Sequence, residues 1–222
     1  MVILSGCGSS QFQYVANSTS QTYLKVPRDW RRFNQQELTG AELSAAREAN
    51  QPSSLIDILV NRQYQWRVAF DADPAPSVDH TLSLVDDPVV EVSVRQLEAA
   101  EREQVSLASL RNVVINYDAQ KQMAADTLAA SSVGVNGSTT ANFRPIDETE
   151  LNLPNGVHGV HLRYVLRPDT SSSFYAFDQT TLVDARSQRL YVLLIRSSES
   201  QFLLHNALFT EISKSFTVKA KD

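Results

Sequence analysis

Gly159-Val160-His161-Leu162-Arg163-Tyr164-Val165-Leu166-Arg167 decides the fold. Leu162, Tyr164 and Leu166 share one face and His161, Arg163 and Arg167 take the other, the alternation of a half-buried strand. Pro168-Asp169-Thr170-Ser171 turns the chain into a second run, Ser173 to Val183. Asp184-Ala185-Arg186-Ser187 turns it again into Leu190 to Arg196. Strands joined by short polar turns predict an antiparallel meander, with 159–167, 173–183 and 189–196 as consecutive neighbours.

Working outward, residues 200–212 read as an amphipathic helix with Leu204, Ala207, Leu208 and Ile212 inward. Phe216-Thr217-Val218-Lys219 closes the chain as a strand. Upstream, Ala141 to Ile146 reads as a strand and Asn155-Gly156 as a turn, both residue types tolerating positive φ. Tyr64 to Phe70, Thr81 to Val85 and Val89 to Val94 read as strands, and Leu55 to Val60 as a short apolar segment. Asn34-Gln35-Gln36-Glu37 and Thr39-Gly40-Ala41-Glu42 both have capping-box spacing, and either opens an Ala-rich helix running to about Ala49. Further helical stretches are expected over 97–104, after Ser106, and over 118–131. Tyr23-Leu24-Lys25-Val26-Pro27 alternates as an opening strand. The pattern predicts an α+β protein with a single, mostly antiparallel sheet flanked by helices.

Composition bounds the function. The chain has 222 residues, 42% of them apolar and 20% charged, enough for one globular core without metal or disulfide staples. A formal charge of −5 lacks the positive footprint of a nucleic-acid binder. No run approaches the twenty apolar residues of a membrane-spanning helix.

The single cysteine, Cys7, follows Leu4-Ser5-Gly6. This stretch resembles the lipobox of bacterial lipoproteins: an aliphatic residue, two small residues, then the cysteine. The resemblance implies diacylglycerol on the Cys7 thiol and cleavage before it. Two acyl chains hold firmly where one holds marginally, each buried CH₂ contributing about 0.8 kcal/mol. Only Val2, Ile3 and Leu4 precede the box, less than the 7–15 apolar residues of a signal segment, so the reading supposes a missed upstream start or a trimmed chain. Residues 1–20 are uncharged and rich in Ser, Asn and Gln beyond Cys7, the composition of a flexible tether. The expected division is a truncated lipobox and tether over 1–21 and a globular domain over 22–222.

The opening strand leading to Pro27 and Trp30, the meander, and the closing Ile212-Ser213-Lys214-Ser215-Phe216-Thr217-Val218 resemble the Mog1/PsbP-like fold, an α/β/α sandwich, and within it actinobacterial lipoproteins. The likeness spans about 22–220 and is poor over 72–140. It implies an accessory, binding or assembly role, and it supplies no catalytic residue. The expected protein is a lipid-anchored accessory module on the outer face of the cytoplasmic membrane, binding a protein partner in the envelope. A carrier or sensor of a small hydrophobic ligand is the alternative, and an envelope enzyme is the third class.

Residue chemistry narrows the choice. His158 and His161 lie three apart in a strand, so period 2 sends them to opposite faces, away from a shared metal. Asp71, Asp73, Asp79 and His80 lack the Gly and terminal Glu of a calcium loop, and a solvated turn explains them. The sequence carries no nucleophile elbow, phosphate loop or dinucleotide fingerprint, so no catalytic residue, metal or cofactor is expected. Trp30, Trp66 and Tyr175 are candidates for a ligand or partner surface. Asp178 interrupts the aromatic run Phe174-Tyr175-Ala176-Phe177 and is the polar residue to check for burial.

Overall fold

The computed structural model describes residues 11–53, 64–132 and 141–219. Strands β1 (Phe12–Asn17), β2 (Thr22–Pro27) and β3 (Arg31–Asn34) open the chain, followed by helix α1 (Gln35–Glu48). Then come β4 (Tyr64–Asp71), β5 (Val89–Gln96) and three helices, α2 (Ala99–Glu103), α3 (Leu107–Arg111) and α4 (Tyr117–Ser132). The last third holds β6 (Phe143–Asn152), β7 (His158–Leu166), β8 (Tyr175–Val183) and β9 (Arg189–Ser198). Helices α5 (Glu199–Leu204) and α6 (Asn206–Ser215) lead into the short β10 (Thr217–Val218).

The meander stands as expected, β7, β8 and β9 being antiparallel neighbours. They belong to a seven-stranded sheet of order β3-β4-β5-β9-β8-β7-β6, antiparallel throughout. Alternation sorts its side chains into two buried layers. Trp66, Val68, Phe70, Val90, Val92, Leu193 and Ile195 face one side, where Phe209 and Ile212 of α6 close over them. Leu162, Tyr164, Phe177 and Leu190 face the other, against Leu110 of α3 and Tyr117 and Ala124 of α4. Helix α1 covers β3 and β4 on that second side through Leu38, with Phe33 and Ala69. Asn34 caps it, accepting from the Gln36 and Glu37 amides while the Glu37 carboxylate reaches back to the Asn34 amide.

The architecture is α+β, with antiparallel sheets flanked by helices. There are two sheets, not the single one expected. β2 pairs with β1 and β10, forming a three-stranded sheet whose Val15, Leu24, Val26 and Val218 pack on the first buried layer. Strand alternation fixes which residues point inward but not which strand is the partner. The second difference is at the start. Phe12–Asn17, expected within the tether, runs in register with Thr22–Pro27, with Val15 only 2% exposed. The expected boundary at residue 21 falls in the β1–β2 turn.

Thr81 to Val85 is not a strand. Val78–Thr81 forms a 3₁₀ turn capped by Ser77, and the buried Arg196 guanidinium donates to the carbonyls of His80 and Thr81. Their hydrogen bonds are therefore satisfied without a neighbouring strand. The closing helix breaks at His205, which shifts its apolar phase. Phe202, Phe209 and Ile212 are buried, Leu208 is half-buried, and Leu204 is 75% exposed, contrary to the inward stripe expected. Cys7 and Leu55 to Val60 lie outside the described residues.

Candidate functional site

Three elements meet over one end of the large sheet. β7 offers His161 and Arg163, β8 offers Asp178, Thr180 and Leu182, and β6 offers Asp147 and Leu151. The register places Arg163 opposite Asp178 on one side and Asp147 on the other, and His161 opposite Thr180 and Thr149. Helix α6 lies across them. Its Asn206, Thr210 and Ser213, spaced by four and three, share the face turned to the strands.

Asp178 organises this contact. It is fully buried, and three donors from two elements, β7 and α6, converge on its carboxylate. Arg163 Nε donates to Oδ2 at 2.7 Å, and Ser213 Oγ donates to Oδ1 at 2.7 Å. His161 Nε2 lies 2.8 Å from Oδ1. Against a carboxylate that only accepts, Nε2 is the donor of this contact. Nδ1 then lies 3.7 Å from Asp147 Oδ2. Arg163 is locked at its other nitrogens, donating to Asn206 Oδ1 at 3.2 Å and Thr210 Oγ1 at 2.8 Å, above the Phe202 ring. A buried charge pair with these extra hydrogen bonds keeps its geometry, because losing any partner leaves a charge unsatisfied.

Beside the cluster opens a cavity of about 380 Å³. Leu151, Leu153, Leu182 and Phe216 form its apolar walls. Asp147, His161, Arg163 and Lys214 supply its charged or titratable groups, with Thr180, Thr210 and Ser213 between. Lys214 is exposed and forms no ion pair or hydrogen bond among the described residues. The wall is shaped in part by Gly159, which pairs with Leu151 and Leu182. A Cβ there would lie 1.9 Å from the Thr181 carbonyl oxygen, so only glycine lets β7 approach β8 this closely.

The residues singled out in the sequence fare differently. Asp178, the polar residue to check, is buried, and its partners are His161, Arg163 and Ser213. Trp30 and Trp66, each 9% exposed, are part of the core under the three-stranded sheet. Tyr175 is half-buried against the opposite face. None of the three aromatics lines the cavity, and β5 and β9 separate Trp66 from Asp178. His158 turns away from His161 as its parity requires, its Nδ1 lying 3.0 Å from the Gly156 carbonyl. His161, Arg163, Ser213 and Lys214 had no assigned role. The signal for the first two was a cationic strand face placed by the meander opposite a lone aspartate in an apolar run.

A second polar cluster is architectural. The Asp71 carboxylate, 1% exposed, accepts from the amides of Asp73 and Ser77 and holds His80 Nδ1 at 2.8 Å. It ties down the loop after β4. No group of three or more His, Cys, Asp or Glu is placed to hold a metal ion among the described residues. No described helix is long and apolar enough to cross a membrane.

No family model matches the chain, and no curated protein matches it. Among solved structures it is similar to cyanobacterial PsbP (CyanoP) from Synechocystis sp. PCC 6803, at 14% identity and a TM-score of 0.48 over 96% of each chain. It is also similar to LpqN of Mycobacterium tuberculosis, described as involved in cell envelope biogenesis, at 14% identity and a TM-score of 0.44. That match covers 95% of this chain and 91% of LpqN. A third is the Saccharomyces cerevisiae Ran-binding protein Mog1p, at 10% identity and a TM-score of 0.41 over 93% of this chain and 95% of that one. Strand order and the two buried layers carry the fold class.

Proposed function

We propose that the protein is a lipid-anchored extracytoplasmic accessory module that works by binding, and that the cavity between β6–β8 and α6 is its recognition site for a small ligand with an apolar part. The cavity carries this reading. About 380 Å³ with four apolar side chains at one end and a fixed polar cluster at the other is the composition of a ligand pocket. Asp178 holds His161 and Arg163 in place from beneath, so the polar wall is formed before any ligand arrives. Ser213 spends its proton on Asp178, which suits a supporting wall rather than a nucleophile.

A protein partner is the second reading. Leu203 and Leu204, 71% and 75% exposed, stand side by side at the break between α5 and α6. Two leucines make a small patch, and single exposed apolar residues need no partner. The cavity therefore ranks first.

The anchor rests on Leu4-Ser5-Gly6-Cys7. With the chain expressed behind a functional export signal, intact-mass spectrometry of membrane-extracted protein should show Cys7 as the acylated first residue. Cys7→Ser should abolish the acyl mass, because a hydroxyl does not form the thioether. Retention of residues 1–6 without an acyl mass would end the lipoprotein reading and leave the cavity reading intact.

A further inference from the structure

We infer that the ligand of this cavity is a single-chain amphiphile with an acidic head, a carboxylate or a phosphate ester, held by Lys214 and the Arg163 edge while the chain lies along Leu151, Leu153, Leu182 and Phe216. This rests on the cavity reading above and names its ligand class.

The volume matches one short chain. At about 30 Å³ per non-hydrogen atom, the share of a water in the liquid, the cavity takes about a dozen atoms. A carboxylate with a nine-carbon tail fills it.

The sign of the head follows from the uncommitted donors. Asp178 is spent on three partners and is fully buried. Its charge cancels that of Arg163. The guanidinium has five N–H groups, and Asp178, Asn206 and Thr210 take three of them. Lys214 brings three more donors and a full positive charge with no carboxylate on it. The neighbouring cation on this side, Lys25, is already paired with Glu211. Against these stands Asp147, whose Oδ2 accepts from Thr149 and faces His161 Nδ1 at 3.7 Å. With Asp178 counted against Arg163, the wall's formal charges balance, Lys214 against Asp147. The acidic head is read from the uncommitted donors, three on Lys214 and two on Arg163, which a carboxylate or phosphate takes and a neutral alcohol does not.

The apolar walls fix the other end. Leu182 is fully buried, Phe216 is 6% exposed, and Leu151 and Leu153 are half-buried. The α6–β10 junction carries both Lys214 and Phe216, so one ligand touches the cation and the ring together.

Calorimetric titration of the purified chain with decanoate, decyl phosphate and decanol tests the class, with methyl NMR of the leucines reporting location. Decanoate and decyl phosphate should bind with dissociation constants of about 10–100 μM, as a dozen-atom ligand reaches. They should shift the Leu151, Leu153 and Leu182 methyls, and decanol should bind at least tenfold more weakly. The ratio of the two acids shows whether the head is a carboxylate or a phosphate ester. Lys214→Glu, at an exposed position in the last turn of α6 where the helix end favours a cation, should lower the thermal midpoint by only a few degrees, weaken both acids about tenfold and leave decanol unaffected. Lys214→Arg should restore them. Leu153→Trp, which fills the cavity, should abolish all three. Decanol binding as tightly as decanoate, or Lys214→Glu leaving the ratio unchanged, would overturn the acidic head while the cavity reading stands. Failure of every probe to shift the three leucines would overturn both.

Discussion

Replacing Asp178 by alanine should be among the most damaging single substitutions at this site. The carboxylate is fully buried and joins three elements: β7 through His161 and Arg163, β8 through its own backbone, and α6 through Ser213. Alanine leaves the Arg163 charge, only 15% exposed, without its counter-ion. Removing one member of a buried pair costs about 3–5 kcal/mol. The adjoining cavity admits water to His161 and Arg163, and Arg163 keeps Asn206 and Thr210, so the lower end applies. A loss of about 3 kcal/mol corresponds to a fall of about 6–12 °C in Tm for a domain of this size. Urea unfolding at pH 7 with an unchanged m-value measures it. The charge argument has its own control. Asp178→Ala combined with Arg163→Met removes both charges, and the pair should cost at least about 1.5 kcal/mol less than the sum of the singles. A loss below about 1 kcal/mol for Asp178→Ala, or strict additivity in the double variant, would refute this account of the cluster.

Gly159→Ala drives a methyl group against the Thr181 carbonyl and should cost about 3 kcal/mol or more, read as a fall in Tm, although it adds only one carbon. Phe209→Ala should cost about 3–5 kcal/mol and Leu204→Ala less than about 0.5 kcal/mol in urea unfolding, because the break at His205 turns Phe209 in and Leu204 out. Alkaline pH should unfold the protein through its buried phenols. Burial first, then Glu148, pushes Tyr117 up to about 12, and burial also raises Tyr164 and Tyr191. An unfolded tyrosine ionises near 10. Above that pH the unfolded chain sheds protons that the folded chain keeps. Stability is therefore full below pH 10 and falls as pH rises from about 10 to 12, and Tyr117→Phe should flatten the fall in a pH series of unfolding curves.

The meander was legible because its strands alternate, its turns are short, and neighbours in sequence are neighbours in the sheet. Strand β5 and the Asn34 and Ser106 caps were legible for the same reason, each being a local pattern. What escaped depended on distant partners. β10 pairs with β2 across almost the whole chain, and nothing in Thr217-Val218 states that choice. The segment after Thr81 alternates like a strand, yet Arg196, more than a hundred residues on, binds the preceding carbonyls as a loop. Leu204 was misplaced because one helical phase was carried through a break at a residue that is not a proline or glycine. In the site, Asp178 stood out as a charge in an aromatic run, and the parity of β7 put His161 and Arg163 together. Ser213 and Lys214 needed the crossing of α6, which no local pattern encodes. The two tryptophans drew notice as aromatics and proved to be core.

The most direct test of the central claim, that the cavity holds the protein's ligand, is mass spectrometry of what the protein carries when purified from its native cells. Wild type and Leu153→Trp, purified side by side without denaturation, are extracted and their bound small molecules quantified. Wild type should carry a single-chain acidic amphiphile at a level clearly above that on Leu153→Trp, though below one molecule per chain, because a ligand of micromolar affinity partly washes off. Equal loading of the two proteins, or no amphiphile on wild type, would contradict the account.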